Sequence, residues 1–167
     1  KEQIQVFKST GKVAELQSSI GLNPVNGNTG IAHTRWATHG LPTEANAHPH
    51  HSNNKVFVIH NGIIENHQEI RTTLKALGYV FESETDTEVI AHLIHAKMTD
   101  SNLSLVESLK AAVKDLRGAY AIGAVCESEP GILAAARKGS PLVIGMGFGE
   151  NFIASDQLAL ADFAENF

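Results

Sequence analysis

Three helical patterns in the middle of the chain are followed by four short apolar runs, and this order most constrains the fold. Apolar residues at helical spacing mark the helices, which are predicted at about residues 68–77, 87–98 and 103–116. The later runs are separated by turns rich in glycine and proline, and lie at residues 119–126, 132–136, 142–144 and 152–154. The pattern predicts an α+β fold, with antiparallel sheet and helices on its outer faces.

The first third of the chain is less regular. It is predicted to contain a strand, a helix and a second short strand, at residues 3–8, 12–19 and 30–34. The apolar run at residues 56–60 predicts a strand that ends at Asn61-Gly62. Asn66, with Glu69 three residues later, is the predicted N-cap of the next helix.

Composition excludes several classes of protein. The 167 residues carry a net charge of −5 and contain no cluster of lysine or arginine, so nucleic acid and anionic membranes are not expected partners. A single cysteine cannot form an internal disulfide, which suits the reducing cytoplasm. From the polar start we expect no signal peptide, and no apolar run is long enough to span a bilayer. We therefore expect one cytoplasmic domain.

The tripeptide His60-Asn61-Gly62 permits two interpretations. An asparagine side chain and a glycine backbone N–H at the end of a strand can form two convergent donors, as an oxyanion hole requires. Asn-Gly is also the strongest short signal for a hairpin turn, and the tripeptide alone favours that turn. The sequence that follows leads into a helix instead of a second strand.

The segment TRWATHG holds the best candidates for binding an anion. The planar guanidinium of Arg35 suits a carboxylate, with Trp36 as a rigid wall and with Thr38 and His39 as short polar groups. The alternative is a structural salt bridge for Arg35 with Trp36 simply packed, and on local grounds this alternative is favoured.

Asp86, at the start of the second predicted helix, has a similar pair of interpretations. Helix capping alone explains Asp86 and its two threonine neighbours, and it is favoured on local grounds. The functional alternative is a carboxylate that binds a substrate ammonium group.

Several histidines raise the possibility of a metal site. They lie close together in the sequence, at His33, His39, His48, His50, His51 and His60. Their spacing matches no known zinc motif and no cysteine is nearby, so we expect no metal. Cys126 lies in an apolar strand pattern and is interpreted as a buried, inert thiol. The glycine-rich segment at residues 139–151 lacks the Lys-Ser/Thr of a phosphate loop, and no cofactor is expected.

Taken together, these segments resemble one family. The motifs that carry the resemblance are GIAHTRWATHG (30–40), NAHPH (46–50), HNGIIENH (60–67), SETDTEVIAHLI (83–94), LRGAYA (116–121) and GSPLVIGMGFGENFIASDQLAL (139–160). They are similar to the glutaminase domain of the glucosamine-6-phosphate synthases, which are class II, N-terminal-nucleophile glutamine amidotransferases. The resemblance covers residues 11–160 in order, so residues 1–167 are expected to form one partial type 2 amidotransferase domain.

The resemblance implies a four-layer αββα sandwich and a reaction. In the family an N-terminal cysteine attacks the side-chain amide of L-glutamine, a thioester forms, and glutamate and ammonia are released. The ammonia passes to a sugar isomerase domain, where fructose 6-phosphate becomes glucosamine 6-phosphate. Neither that cysteine segment nor the isomerase domain is in this sequence, so the 167 residues alone are expected to be inactive. The parent protein is expected to be a homo-oligomer.

Matching motif positions carry the family's residue roles to this chain. Asn61 and Gly62 would form the oxyanion hole, Arg35 would bind the α-carboxylate of glutamine, and Asp86 would bind its α-ammonium. The pocket lining would include Trp36, Thr38 and His39. Two rival hypotheses are a non-catalytic amino-acid-binding module of the same fold and a histidine-rich metal-binding protein.

Overall fold

Helices form where the apolar spacing predicts them. The computed structural model describes residues 4–21, 25–35 and 41–167. Within those ranges the helices are α1 (Val13–Gly21), α2 (His67–Ala76), α3 (Glu88–Ser101), α4 (Leu105–Asp115) and a short 3-10 helix (Gln157–Leu160). None of these helices combines the length and the apolar character needed to cross a membrane.

The strands form two antiparallel sheets in the described part of the chain. They are β1 (His50–Ser52), β2 (Val56–Ile64), β3 (Gly118–Cys126), β4 (Ala134–Lys138), β5 (Val143–Met146) and β6 (Asn151–Ala154). The first sheet has the order β1-β2-β3-β4, and the second pairs β5 with β6. Two predicted strands are wrong, because residues 4–8 and 30–34 form no strand, and the prediction missed β1.

Side-chain alternation along β2 separates the two faces of the first sheet. Val56, Val58 and His60 pair with alternate residues of β3 and point to the helices, and the two valines lie in the main core cluster. Ile90 and Ile94 of α3 are fully buried against this face. Each such side chain contributes roughly 1.5–3 kcal/mol by leaving water. The helix α3 contacts both β1 and β2, so the core fixes it against the sheet.

The second sheet packs on the opposite face of the first. A side chain placed on Gly123 of β3 would meet Ile153 of β6 and Ile59 of β2, which shows how closely the sheets approach there. The described residues therefore form a sandwich of helices, a four-stranded sheet and a two-stranded sheet. This arrangement confirms the α+β sandwich, because helices cover one face of the four-stranded sheet and the 3-10 helix contacts both strands of the second sheet, with Leu160 beside Gly145 on its outer face.

Asn66 is the N-cap residue of α2, as predicted, but its side chain bonds elsewhere. It precedes α2, but its side chain makes no capping hydrogen bond to the helix. Its Oδ1 accepts from the backbone N–H of Arg117 and its Nδ2 donates to the carbonyl of Asp115, each at 2.9 Å. The side chain thus joins the start of α2 to the connection between α4 and β3.

Candidate functional site

A cavity of about 330 Å³ opens where β2 meets the segment before α3. Its lining consists of His33, Arg35, His48, His60, Asn61, Gly62, Ile63, Thr85, Asp86 and Thr87. Four of these residues are sequence-predicted site residues, namely Arg35, Asn61, Gly62 and Asp86. The fold therefore brings together four predicted residues that span 51 positions of the sequence, from Arg35 to Asp86.

The Asn61-Gly62 pair lies inside β2, which corrects the expectation that the strand ends there. Asn61 pairs with Ala121 and Gly62 with Tyr120, and the strand continues to Ile64. The hairpin-turn interpretation is therefore wrong. Gly62 has a φ of 129°, and a Cβ at this position would collide with the carbonyl of Ala119. Glycine is required here by both the backbone conformation and the close approach of β3.

Asp86 is buried and is held by the end of β2. Only 4% of its surface is exposed, and its Oδ2 accepts from the backbone N–H of Ile64 at 2.8 Å. The N-cap of α3 is Thr87, with no side-chain capping bond, so the capping interpretation of Asp86 is wrong. Within the described part of the chain, no hydrogen bond to Oδ1 is formed, and that oxygen is available to a ligand.

The turn that carries Asp86 is fixed from two sides. Arg71 of α2 donates to the carbonyls of Ser83 and Thr85, at 3.1 and 2.8 Å. The Glu88 carboxylate accepts from two backbone N–H groups and from the Ser83 hydroxyl, at 2.6–2.8 Å. Burial raises the pKa of Glu88, but these hydrogen bonds and His92 outweigh it and lower the pKa to about 2. A rigid turn gives the Asp86 side chain a fixed direction.

Arg35 lines the same cavity as Asp86. Its guanidinium donates to the carbonyl of Leu41 at 3.0 Å. Arg35 and Asp86 are the formally charged residues among the ten that line the cavity, histidines aside. The predicted pocket residues Trp36, Thr38 and His39 lie outside the described residues.

Three histidines form the wall behind Asn61. His33 Nε2 lies 2.8 Å from Asn61 Oδ1, within hydrogen-bond distance, and the centroid of its ring lies 4.0 Å from that of His48. The hydroxyl of Thr87 bridges His48 Nε2 and His60 Nδ1, at 3.1 Å each. Prediction missed this role of the histidines. The one usable signal was strand alternation, which places His60 on the helix-facing side of β2.

Burial keeps these imidazoles neutral. Desolvation, followed by the nearby histidine charges, holds the pKa of His48 far below its usual value. Desolvation also lowers the pKa of His60 to about 4, although the Asp86 carboxylate acts in the opposite direction. The pKa of His33 is lowered as well, mainly by desolvation. The formally charged side chains of Arg35 and Asp86 therefore share the cavity with uncharged histidines.

Two other kinds of chemistry, at a metal ion and at the Cys126 thiol, depend on where the possible ligands and the thiol lie. Among the described residues, no group of three or more histidine, cysteine, aspartate or glutamate side chains is arranged to hold a metal ion. Cys126 is buried and pairs with Val56, at the end of β2 remote from Asn61. Five strand residues span about 16 Å, so the Cys126 thiol is too far from Asn61 to act there.

A second cavity of about 330 Å³ lies between the helices. Its lining includes Leu74, Leu93 and Lys97, and none of the residues predicted for the site. Apolar side chains and an ion pair between Lys97 and Asp115 explain this surface without a ligand.

Sequence and structure comparisons identify relatives of this chain. The family described as glutamine amidotransferase domain matches residues 33–162. The chain is 58% identical over 165 residues to glutamine–fructose-6-phosphate aminotransferase [isomerizing] of Pseudomonas putida, covering 99% of this chain and 27% of the relative. It is 56% identical to the protein of that name from Idiomarina loihiensis, covering 98% and 27%. The chain thus spans about a quarter of the length of these curated relatives.

Solved structures agree with the sequence comparison. The chain is similar to glutamine phosphoribosylpyrophosphate amidotransferase from B. subtilis, with a TM-score of 0.61 and 32% identity. The match covers 77% of this chain and 28% of that one.

Proposed function

The chain belongs to the glutamine amidotransferase domain family, and from this we propose that its cavity binds L-glutamine for hydrolysis of the side-chain amide. The observation that carries the proposal is the meeting of Arg35 and Asp86 with Asn61 and Gly62 in one cavity. The products would be glutamate and ammonia.

Opposite charges in the cavity match the amino-acid end of glutamine. The α-carboxylate needs a cation, which Arg35 supplies, and the α-ammonium needs an anion, which Asp86 supplies through its available Oδ1. Asp86 is buried and its Oδ2 is already bonded to Ile64. A buried carboxylate that gains an ammonium partner binds it strongly, because little water competes there.

Asn61 and Gly62 suit the opposite end of the substrate. As a nucleophile attacks the amide carbon, charge develops on the carbonyl oxygen, and two fixed N–H donors stabilise it. By resemblance to the family, the nucleophile is an N-terminal cysteine thiol that forms a glutamyl thioester. The amide nitrogen leaves as ammonia, and water then releases glutamate.

The activity of the whole protein is a further part of the proposal. The relatives' name supports transfer of the ammonia to fructose 6-phosphate in the full-length protein, in a sugar isomerase domain. We also propose that the full-length protein is a cytoplasmic homo-oligomer.

Two truncated substrates test the pocket in the full-length protein. Glutaramate lacks the α-ammonium of glutamine, and γ-aminobutyramide lacks its α-carboxylate. Asp86→Asn keeps an oxygen for the Ile64 N–H but loses the charge, so kcat/KM for glutamine is expected to fall about 100-fold. The same variant hydrolyses glutaramate as the unmodified protein does. Arg35→Gln has the reciprocal effect, with γ-aminobutyramide as the unaffected substrate.

Matched controls are available elsewhere on the chain. Asp100→Asn changes an exposed aspartate in the last turn of α3, and Arg137→Gln removes an exposed arginine that also donates to a carbonyl. Both controls are expected to leave kcat/KM unchanged. A full-length protein that releases no ammonia from glutamine, or equal losses for all three substrates, would contradict the proposal.

A further inference from the structure

The side-chain amide of Asn61 has one useful end for catalysis and one harmful end. Its Nδ2 group donates hydrogen bonds, whereas its Oδ1 would repel a developing oxyanion. Rotation by half a turn exchanges the two ends with little change of shape. Asn61 is exposed in β2, so core packing does not select between the two orientations.

We propose that His33 is a positioning residue that fixes the Asn61 amide with its Nδ2 donor toward the cavity. The inference rests on the proposed glutaminase function. It starts from the distance of 2.8 Å between His33 Nε2 and Asn61 Oδ1. An amide oxygen only accepts, so Nε2 must carry the proton.

The surroundings of His33 agree with this proton position. A neutral imidazole carries one N–H, and with the proton on Nε2 the other nitrogen is bare. His33 Nδ1 is buried and has no hydrogen-bond partner in the described part of the chain. Desolvation lowers the pKa of His33, so the ring is neutral at physiological pH. A proton on Nε2 therefore leaves no N–H group without a partner at the buried Nδ1.

A closed series of contacts holds His33 in place. Its ring packs against that of His48, with the centroids 4.0 Å apart and the planes tilted by 35°, and His48 is bonded through Thr87 to His60. His60 directly precedes Asn61 in β2, so the series returns to the residue that it positions. The four residues of this series lie in four different segments: residues 25–35, the loop before β1, β2 and the start of α3. Such a frame restricts the imidazole better than one hydrogen bond could.

Kinetics of the full-length protein separate positioning from general support of the fold. His33→Leu removes the donor and is expected to lower kcat for glutamine hydrolysis about 10- to 100-fold, with KM nearly unchanged. His33→Gln carries a side-chain N–H donor of similar reach and is expected to restore most of the rate. His51→Leu, which changes a histidine outside the cavity, is the control and retains full activity.

A double-variant cycle gives the decisive result. Once Asn61→Ala has removed the amide, His33→Leu is expected to cause no further loss. Full additivity of the two losses would overturn the proposal, as would equal losses for His33→Leu and His33→Gln.

Neutron diffraction from crystals of the full-length protein provides a readout that does not depend on activity. The expected density places a deuteron on His33 Nε2 and two deuterons on the cavity side of the Asn61 amide. A bare Nε2 accepting from Asn61 Nδ2 would give the same heavy-atom distance and would overturn the proposal. If the unmodified protein fails to hydrolyse glutamine, the proposed function fails, while the diffraction result still decides the amide orientation.

Discussion

Gly62 lies where β2 passes closest to β3 at the cavity, and this position has no room for a side chain. Its φ of 129° and its contact with the Ala119 carbonyl both exclude a side chain. Gly62→Ala is therefore expected to lower the free energy of unfolding by about 3 kcal/mol, measured by urea titration with circular dichroism.

Gly149→Ala is the matched comparison, because Gly149 also has a positive φ of 78° but open space around it. It is expected to cost only about 1 kcal/mol, which is the backbone strain without the collision. Equal costs at the two positions would show that the contact with Ala119 is not rigid.

At the scale of single residues, the sequence indicates which side chains are charged or donate hydrogen bonds, but it does not indicate which groups they contact. Chemical type and resemblance indicate Arg35, Asn61, Gly62 and Asp86, and these residues lie in one cavity. The contact between His33 and Asn61 joins positions 28 apart, and no local pattern records such a distance. Capping was the wrong explanation of Asp86, because its partner is a backbone N–H of β2, 22 residues earlier.

At the scale of secondary structure, the Asn66 side chain joins the start of α2 to the connection between α4 and β3. Asn66→Asp keeps the acceptor for Arg117 but loses the donor to Asp115, leaving a carboxylate against a carbonyl oxygen. The free energy of unfolding is expected to fall by about 2 kcal/mol in urea titration.

Gln68→Glu is the control for that change. It makes the same amide-to-acid substitution at an exposed position in the first turn of α2, where a negative charge is favourable. Its expected effect is within ~0.5 kcal/mol. A similar loss in both variants would mean that the Asn66 bonds contribute little.

Helices whose apolar residues recur at a clear spacing were predicted well. Strands that exist only by pairing with a neighbouring strand were not. α2, α3 and α4 each lie within a few residues of the predicted ranges. The alternating pattern at residues 3–8 predicted a strand, but residues 4–8 pair with no other described strand. β1 has only three residues, all polar, and its extended conformation depends on antiparallel pairing with β2.

At the scale of the whole molecule, the neutral histidines make the fold sensitive to acid. The unfolded chain binds protons at histidine near pH 6.5, whereas the folded chain holds the pKa of His60 at about 4 and that of His50 at about 3. His48 is shifted in the same direction. Stability is therefore complete above pH 6.5 and falls as the pH decreases toward these values.

The measurement is the free energy of unfolding as a function of pH. Near pH 5 its slope is expected to correspond to the uptake of at least about three protons on unfolding, one each at His48, His50 and His60, with His33 adding to them because its pKa is also lowered. His50→Gln, which can still bond Thr85, is expected to reduce that uptake by about one. Glu88 adds a separate loss between pH 4.5 and about 2, because its folded pKa is also lowered. A flat profile from pH 7 to 5 would contradict the assignment of neutral buried histidines.

The overall class was predictable, whereas the stacking of its layers was not. The order of helices and strands indicated α+β, and the resemblance supplied the sandwich. The close contact of Gly123 with Ile59 and Ile153 depends on which face of the sheet each side chain occupies. That face follows from the register of pairing, which becomes fixed only when the strands meet.

β2 is a single strand that serves the core with its first half and the cavity with its second. An insertion or deletion of one residue within residues 56–59 would exchange the two faces beyond that point, turning Asn61 toward the helices and His60 away from them. Length changes in natural relatives should therefore be absent from this stretch and should gather in turns such as residues 127–133. A turn can change length without altering the pairing of the strands, whereas β2 cannot change length and keep Asn61 at the cavity.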